Sequence, residues 1–150
     1  MNSSMTFDSF NQQILVCQDE AFTMAIYLVG DEELACQIVQ EAVLRVYNDD
    51  NGTLPIDRQM LQEVIFSCRR AIRDPFGETI AIPGWEQLKC HEREALLLVD
   101  VLGKSYQDAA FILNSSRDEI TQNVASGRRH LTRSIHPEKA PRVKGDPLLL

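Results

Sequence analysis

The sequence lacks both a long apolar run and a basic, apolar amino terminus. No stretch of its 150 residues approaches the roughly 20 uncharged apolar residues that cross a bilayer. The first residues, MNSSMTFDSF, carry neither the positive charge nor the apolar segment of a signal peptide. We therefore expect a cytoplasmic protein with no membrane partner.

Strong positive charge is also missing, since the formal net charge is −7. Residues 1–84 hold five arginines and thirteen acidic residues, a net charge of −8, whereas residues 85–136 hold seven charges of each sign. Residues 137–150 hold three basic and two acidic residues. This distribution excludes a protein coated in basic patches, the usual footprint of a nonspecific nucleic-acid binder, and places the acidity in the amino-terminal half.

Motifs for catalysis, disulfides or metal binding are absent from the sequence as well. The three histidines occur in no HExxH or GxSxG context, and no glycine-rich phosphate loop is present, so we expect neither an enzyme nor a cofactor. The four cysteines form no CxxC pair and are separated by at least eighteen residues, which predicts reduced core thiols rather than a zinc site. The cysteines are Cys17, Cys36, Cys68 and Cys90, and the histidines, expected to be solvated, are His91, His130 and His136.

Apolar residues spaced three and four positions apart predict three helices within residues 1–74. The first ends at Gly30, the second follows the capping residue Asp31, and the third lies between Pro55 and Pro75. Together they predict a three-helix bundle with an acidic exterior. The positions expected to be buried are Phe10, Ile14, Cys17, Ala21, Ala25 and Leu28, then Leu34, Ala35, Ile38, Val39, Ala42, Val43, Val46 and Tyr47, then Met60, Leu61, Val64, Ile65, Cys68 and Ile72.

Residues 75–84, PFGETIAIPG, contain two prolines and two glycines, which predicts a linker and a domain boundary. Residues 85–136 then show a helix closed by Gly103, a short helix opened by Ser105, the turn NSS, and a longer helix opened by Ser116. This order predicts a helix-turn-helix. The inner face of the longer helix is expected to be Ile120, Val124, Gly127, Leu131 and Ile135.

No segment shows the alternation of a strand, so the sequence predicts an all-α fold of two small helical bundles. Residues 137–150, with three prolines and one glycine, are expected to form a disordered tail. Small cores supply little net stability, so we expect the two bundles to pack on each other. The aromatic residues expected to be buried, rather than to stack on bases, are Phe22, Phe66, Trp85, Tyr106 and Phe111.

Two motifs in this order resemble the extracytoplasmic-function sigma factors, in which two helical domains, region 2 and region 4, are joined by a linker. The first is GDEELACQIVQEAVLRVY at residues 30–47, and the second is LKCHEREALLLVDVLGKSYQDAAFILNSSRDEITQNVASGRRHL at residues 88–131. The resemblance implies region 2 over residues 1–74 and region 4 over residues 85–136. It also implies that core RNA polymerase is bound by Gln37, Gln40, Glu41 and Arg45.

The resemblance further implies that the long helix of region 4 meets promoter DNA. Its arginines could bind phosphates, its Gln and Asn could form bidentate hydrogen bonds with adenine, and its Glu could accept a hydrogen bond from cytosine. The alternative interpretation is that this helix face is solvated and binds no DNA. Four arginines against two acids between Ser116 and Ile135 predict weak binding by the protein alone. The candidate DNA-binding residues are Arg117, Glu119, Thr121, Gln122, Asn123, Arg128, Arg129 and Arg133, and the candidate promoter-melting residues are Arg69, Arg70 and Arg73.

Departures from the family pattern leave two functions open. Gln37 replaces an acid, the third helix lacks the Asn and aromatic residues that capture a flipped base, and Asp118 and Glu119 lie where phosphates would be. The first hypothesis is a transcription initiation protein that binds core RNA polymerase and recognises promoter DNA. The alternative is a sigma mimic that binds an anti-sigma factor without reading DNA. A helical interaction module with no part in transcription is a third interpretation.

Overall fold

We analysed a computed structural model of the protein, and the residues it describes are 7–48, 55–71 and 83–135. Within these ranges the secondary structure is helical and no strand occurs, which confirms the all-α prediction. Ile72, Arg73, residues 75–82 of the predicted linker, His136 and the predicted tail lie outside the described residues. The helices are α1 (Phe7–Val29), α2 (Glu32–Asn48), α3 (Ile56–Ala71), α4 (Cys90–Leu96), α5 (Tyr106–Leu113) and α6 (Arg117–Ile135).

Helices α1, α2 and α3 form the first bundle, and local sequence signals set their ends. Gly30 adopts a positive φ of 70° after α1, a conformation that glycine reaches without strain. The carboxylate of Asp31 then accepts a hydrogen bond of 2.9 Å from the backbone N–H of Leu34, which caps α2 as predicted. The predicted stripe of α1 is buried from Phe10 to Leu28, so the three-and-four spacing identified this core correctly.

Helices α4, α5 and α6 form the second bundle, and α5, its turn and α6 make the helix-turn-helix. Ser105 and Ser116 cap α5 and α6 by accepting hydrogen bonds from backbone N–H groups three residues further on, at 3.0 and 3.1 Å. Between these helices, Asn114 takes a left-handed φ of 52°, and the N–H of Ser115 bonds to the carbonyl of Ala110 at 2.9 Å. This is a Schellman ending, and it produces the turn predicted from the NSS triplet.

The helix predicted to run unbroken to Gly103 instead ends in a π-helical turn at Leu97–Val101. There the N–H of Leu102 bonds to the carbonyl of Leu97, five residues back, at 2.9 Å. Leu97 and Leu98 in this turn are fully buried, whereas Asp100 is exposed. The turn thus packs apolar residues inward and leaves one carboxylate on the surface.

The two bundles pack on each other, as their small cores led us to expect. Their buried apolar residues form one continuous cluster that includes Met24 and Leu61 of the first bundle and Leu97 and Ile120 of the second. Trp85, which precedes α4, is buried and donates an indole hydrogen bond of 3.2 Å to the carbonyl of Tyr27. Burial of apolar surface between the bundles therefore adds to the stability of each one.

Several predicted core positions are wrong, because they lie beside the inward face of their helix rather than on it. Phe66 is 55% exposed and Phe111 is 43% exposed, and each ring has a guanidinium over it, Arg70 at 4.8 Å and Arg58 at 5.2 Å. An exposed aromatic face is a favourable site for a cation, which gives these rings a partner outside the core. The other predicted core residues that are exposed are Tyr47, Cys36 and Cys90.

Among the residues described, no helix combines the length and the apolar character that a membrane crossing requires. This agrees with the absence of long apolar runs in the sequence.

Gly127 of α6 packs closely against Leu96 of α4, and this contact can be tested. A Cβ atom at this position would lie 2.6 Å from Cδ1 of the buried Leu96. We expect Gly127→Ala to lower the free energy of unfolding by about 1 to 2 kcal/mol, since overpacking outweighs the higher helix propensity of alanine. In a Leu96→Ala background the same substitution should instead raise stability, because the cavity accepts the methyl group. Urea unfolding of the four variants measures this coupling, and additive effects would contradict the close approach.

Candidate functional site

The four candidate polymerase-binding residues lie on the outer side of α2. Gln37, Gln40 and Glu41 are exposed, and the amide of Gln37 donates to the carboxylate of Glu41 at 3.3 Å. Arg45 is half-buried and donates to Ser67 of α3 at 2.8 Å. The structure therefore keeps three of these residues available to a partner, whereas Arg45 ties α2 to α3.

Leu44 lies on this same side of α2 and is 61% exposed, although the sequence analysis did not include it. Single exposed apolar side chains are common on protein surfaces, so Leu44 adds contact area to this face without by itself marking an interface. The surface formed by Gln37, Gln40, Glu41 and Leu44 is the outer face of α2.

The candidate DNA-binding residues lie along α6, mostly on its exposed side. Arg117, Thr121, Gln122, Arg129 and Arg133 are exposed. Two more have roles within the helix or the fold, since Glu119 accepts a hydrogen bond from Ser116 at 3.3 Å and Asn123 is half-buried. Thr121 also donates its hydroxyl to the carbonyl of Arg117 at 2.9 Å. The helix thus presents cations at both ends and amides between them.

Arg128 is held by a carboxylate of the π-helical turn. Its Nε and Nη2 donate to the two oxygens of Asp100 at 2.9 and 2.6 Å. These hydrogen bonds raise the pKa of Arg128 above its usual range, so the side chain is always charged. Because Asp100 neutralises this cation, Arg128 adds less to the attraction of phosphates than its charge suggests.

Among the described residues, three ion pairs join the first bundle to the second, and none of them was predicted from the sequence. Arg69 of α3 donates from Nε and Nη2 to both oxygens of Glu94 in α4, at 2.8 and 2.7 Å. In addition, Arg58 pairs with Asp108 and Lys104 pairs with Glu20, each at 2.9 Å. Glu94 lies on the same helical face as Leu97 and Leu98, and a charged residue on such an apolar face was the sequence signal for a buried ion pair.

The pair between Arg69 and Glu94 contains the most buried side chain of the three pairs. The side chain of Glu94 is 2% exposed and that of Arg69 is 44% exposed. The bidentate hydrogen bond raises the pKa of Arg69 above its usual range. In this conformation the Arg69 guanidinium is thus engaged by protein, although it was a candidate for promoter melting. Of the other two candidates, Arg70 lies over Phe66 and Arg73 is outside the described residues.

Glu92 of α4 joins the helix-turn-helix to the rest of the second bundle. Its carboxylate accepts hydrogen bonds from the Ser126 hydroxyl and, at 2.9 Å, from the N–H of Lys89, and it lies 3.3 Å from His130 Nδ1. Burial alone would raise the pKa of Glu92, but these hydrogen bonds and the neighbouring His130 lower it below its usual 4.5. His130, expected to be a solvated residue, is instead half-buried against this carboxylate.

The cysteines show no arrangement suited to chemistry within the described part of the chain. All four are free thiols, and no cluster of three or more metal-ligating residues occurs among the residues described. Burial raises the pKa of Cys17 to about 11 and of Cys68 to about 12, which keeps both as thiols at neutral pH. These two residues therefore pack as small apolar side chains.

An open groove of about 560 Å³ is lined mainly by the second bundle, from α4, the turn after α5 and the start of α6. Arg69 contributes from the first bundle, and Glu119, Gln122 and Asn123 of α6 contribute from the second. Glu94 lines the same groove, so the buried ion pair lies beside the residues of α6 that were predicted to read bases. We call this space the α4–α6 groove.

The sequence matches no protein-family model and no curated protein. Among solved structures, the chain is similar to the sigma factor RpoE in its co-crystal structure with the anti-sigma factor NepR from Bartonella quintana, with a TM-score of 0.69 and 19% sequence identity. The match covers 85% of this chain and 97% of the RpoE chain, so it includes both bundles. The protein has the fold of a sigma factor.

The ion pair between Arg69 and Glu94 can be tested by unfolding. We expect Arg69→Met to cost about 2 to 3 kcal/mol, because Glu94 would be left buried without a partner, and solvent around the half-exposed arginine moderates the usual penalty. Arg69→Met combined with Glu94→Leu should recover most of this loss. Arg70→Met, which removes a neighbouring exposed arginine, is the matched control. Urea unfolding measures all three, and equal effects of Arg69→Met and Arg70→Met would contradict the role of the pair.

The lowered pKa of Glu92 predicts how stability depends on pH. A carboxyl group whose pKa is depressed by folding stabilises the protein above the unfolded value, near 4.5, and this contribution is lost as the pH falls through the folded value. Ser126→Ala removes one hydrogen bond to the carboxylate. Its destabilisation should be largest near pH 7 and should shrink below about pH 4.5. Thermal unfolding across this range measures the difference, and Thr132→Ala, an exposed substitution on α6, should show no such trend.

Proposed function

We propose that the protein is a sigma-factor-like regulator of transcription whose closed form, with the two bundles packed together, binds an anti-sigma factor. The observation that carries this proposal is the similarity to RpoE, a sigma factor solved with the anti-sigma factor NepR, over both bundles of this chain. A fold match that spans both bundles, rather than one helix-turn-helix, favours a partner that recognises the two domains together.

The surface of the first bundle supports a protein partner. On α1, Leu15 is 68% exposed and Val16 is 82% exposed, and on α2 Leu44 is 61% exposed. Large apolar side chains at these exposures gain free energy when a partner covers them, at about 25 cal/mol for each Å² removed from water. The excess of acidic residues in this half of the chain favours a partner with basic residues at the rim of its interface.

A second candidate function is binding to core RNA polymerase, followed by promoter recognition. The outer face of α2 supports it, because Gln37, Gln40 and Glu41 stay exposed while the bundles are packed together. The exposed arginines of α6 support contact with phosphates, whereas the neutralised Arg128 and the acids at the start of the helix oppose it. If the protein binds polymerase, an anti-sigma factor would hold it inactive. If it does not, the anti-sigma factor would be its only partner.

Binding assays with purified partners distinguish these functions. We expect a complex of one protein with one NepR-type anti-sigma factor encoded in the same genome, detected by calorimetry. Core RNA polymerase, immobilised and offered the protein with and without the anti-sigma factor, tests the second function. Binding of polymerase together with promoter-dependent transcription supports the second function, whereas polymerase binding without transcription, or binding of the anti-sigma factor alone, supports a mimic or regulator. Failure to bind either partner contradicts the proposal.

If polymerase binds, the outer face of α2 should carry the contact. Gln40→Ala combined with Glu41→Arg places a cation where the sequence has an acid, and we expect at least a tenfold loss of affinity, equivalent to about 1.4 kcal/mol. Glu86→Arg makes the same charge change at an exposed site before α4 and should leave the affinity unchanged. An equal loss in both variants would assign the effect to net charge rather than to this face.

A further inference from the structure

A chain of polar contacts runs along the outer face of α2 and ends inside the first bundle. Gln37, Glu41 and Arg45 are spaced by four residues, so their side chains lie on the same side of the helix. Gln37 donates to Oε1 of Glu41 at 3.3 Å, and Nη2 of Arg45 lies 3.5 Å from Oε2 of the same carboxylate. Each oxygen of Glu41 is therefore engaged by a neighbouring turn of its own helix.

The guanidinium of Arg45 divides its nitrogens between two helices. While Nη2 faces Glu41, Nη1 donates to the hydroxyl of Ser67 in α3 at 2.8 Å and lies 3.8 Å from a carboxylate oxygen of Glu63. Ser67 is 8% exposed, so its hydroxyl is not available to a partner that covers α2. The buried end of this chain of contacts thus lies in α3, and its exposed end consists of Gln37 and Glu41.

Glu41 keeps the capacity to bind a partner while it makes these contacts. Its side chain is 47% exposed, and a carboxylate oxygen accepts more than one hydrogen bond. Arg45 faces a second acid, Glu63, so one cation stands between two carboxylates and leaves a net charge of −1. The surface that a partner meets here is consequently acidic, and a basic side chain of the partner complements it.

The contact between Arg45 and Glu41 affects geometry more than stability. Both side chains are about half exposed, at 40% and 47%, and an exposed pair spaced by four residues adds little to the free energy of unfolding. A mobile glutamate, however, loses much rotamer freedom when an interface orders it, and this weakens binding. Part of that freedom is already removed here by folding, because Ser67 holds Arg45 and Arg45 holds Glu41.

We propose that Arg45 is a positioning residue: anchored on Ser67, it orients the carboxylate of Glu41 toward a partner and does not form the contact itself. This inference rests on the second candidate function, polymerase binding by the outer face of α2. It differs from the direct contact that the family resemblance implies for Arg45. Under it, a buried hydroxyl of α3 controls the affinity of a surface on α2.

The test measures the affinity of the full chain for immobilised core RNA polymerase. Ser67→Ala removes the anchor without changing an exposed residue or a charge, and we expect affinity to fall about threefold to fivefold because Glu41 regains rotamer freedom. Glu41→Gln, which removes the contacting charge, should lower affinity about tenfold. In the Glu41→Gln background Ser67→Ala should have no further effect, since it acts through that carboxylate.

Two further variants separate positioning from stability and from direct contact. Cys68→Ala is the matched control, because Cys68 is the next residue of α3 and is fully buried in the core, so its loss should lower stability and leave affinity unchanged. Arg45→Lys keeps the charge, but an ammonium lacks the planar fork that reaches Ser67 and Glu41 together. It should therefore lose as much affinity as Ser67→Ala, whereas a direct contact through charge would survive.

A measurement on the protein alone tests the anchor itself. NMR relaxation of the Nε–H group of Arg45 reports how ordered its side chain is. We expect this order to fall in Ser67→Ala and to keep the parent value in Cys68→Ala, because only the first variant removes the hydrogen bond.

The results separate this proposal from the proposed function. Parent-like affinity in Ser67→Ala, or an equal loss in both Glu41 backgrounds, overturns the positioning role. An equal loss in Ser67→Ala and Cys68→Ala assigns the effect to stability, and unchanged order at Arg45 in Ser67→Ala rules out the anchor. If the parent does not bind polymerase, the second candidate function is wrong, and the relaxation measurement still decides whether Ser67 holds Arg45.

Discussion

A carboxylate that folding removes from water needs a cation or several hydrogen bonds, and for Glu94 that cation comes from the other bundle. Glu94 is 2% exposed in α4, and both of its oxygens accept hydrogen bonds from Arg69 of α3. Leaving such a group unpaired costs several kcal/mol, a large part of the net stability of a small domain. The second bundle therefore depends on the first for the pairing of a group in its own core.

Three consecutive buried residues of α4 make polar contacts with three different parts of the structure. Glu92, Arg93 and Glu94 follow one another in the chain and are all buried. Glu92 accepts hydrogen bonds from Ser126 of α6, Arg93 donates to the carbonyl of Trp85 at 3.0 Å, and Glu94 reaches α3. One helical turn thus positions the helix-turn-helix, the segment before it and the other bundle. Apolar contacts tolerate small shifts of the packed helices, whereas hydrogen bonds to charged groups require a particular geometry. These polar contacts therefore constrain how the bundles are positioned relative to each other.

Features encoded within a few residues were predictable, and features that join distant residues were not. The Asp31, Ser105 and Ser116 caps, the buried stripe of α1 and the helix-turn-helix follow from local spacing and composition. The partner of Glu94 lies 25 residues away, and nothing in a single sequence identifies it as Arg69. The same limit applies to the candidate site. The motif identified the polar residues of the outer face of α2, but only the structure shows that carboxylates engage Arg69 and Arg128. The π-helical turn has no sequence signal that we can name.

Electrostatics links this architecture to the way α6 could meet DNA. Between Ser116 and Ile135 four arginines oppose Asp118 and Glu119, a surplus of two positive charges, and Asp100 neutralises Arg128 and reduces that surplus to one. Because the positive surplus is so small, few counterions would be released when α6 binds DNA, and we expect weak affinity for DNA at physiological salt. A larger assembly that holds such a domain beside its site raises the local concentration and offsets this weak affinity. The acidic first bundle, which adds a net charge of −8 over residues 1–84, makes the closed form less attractive still to phosphate. The charge of both bundles therefore weighs against strong binding of free DNA by the protein alone.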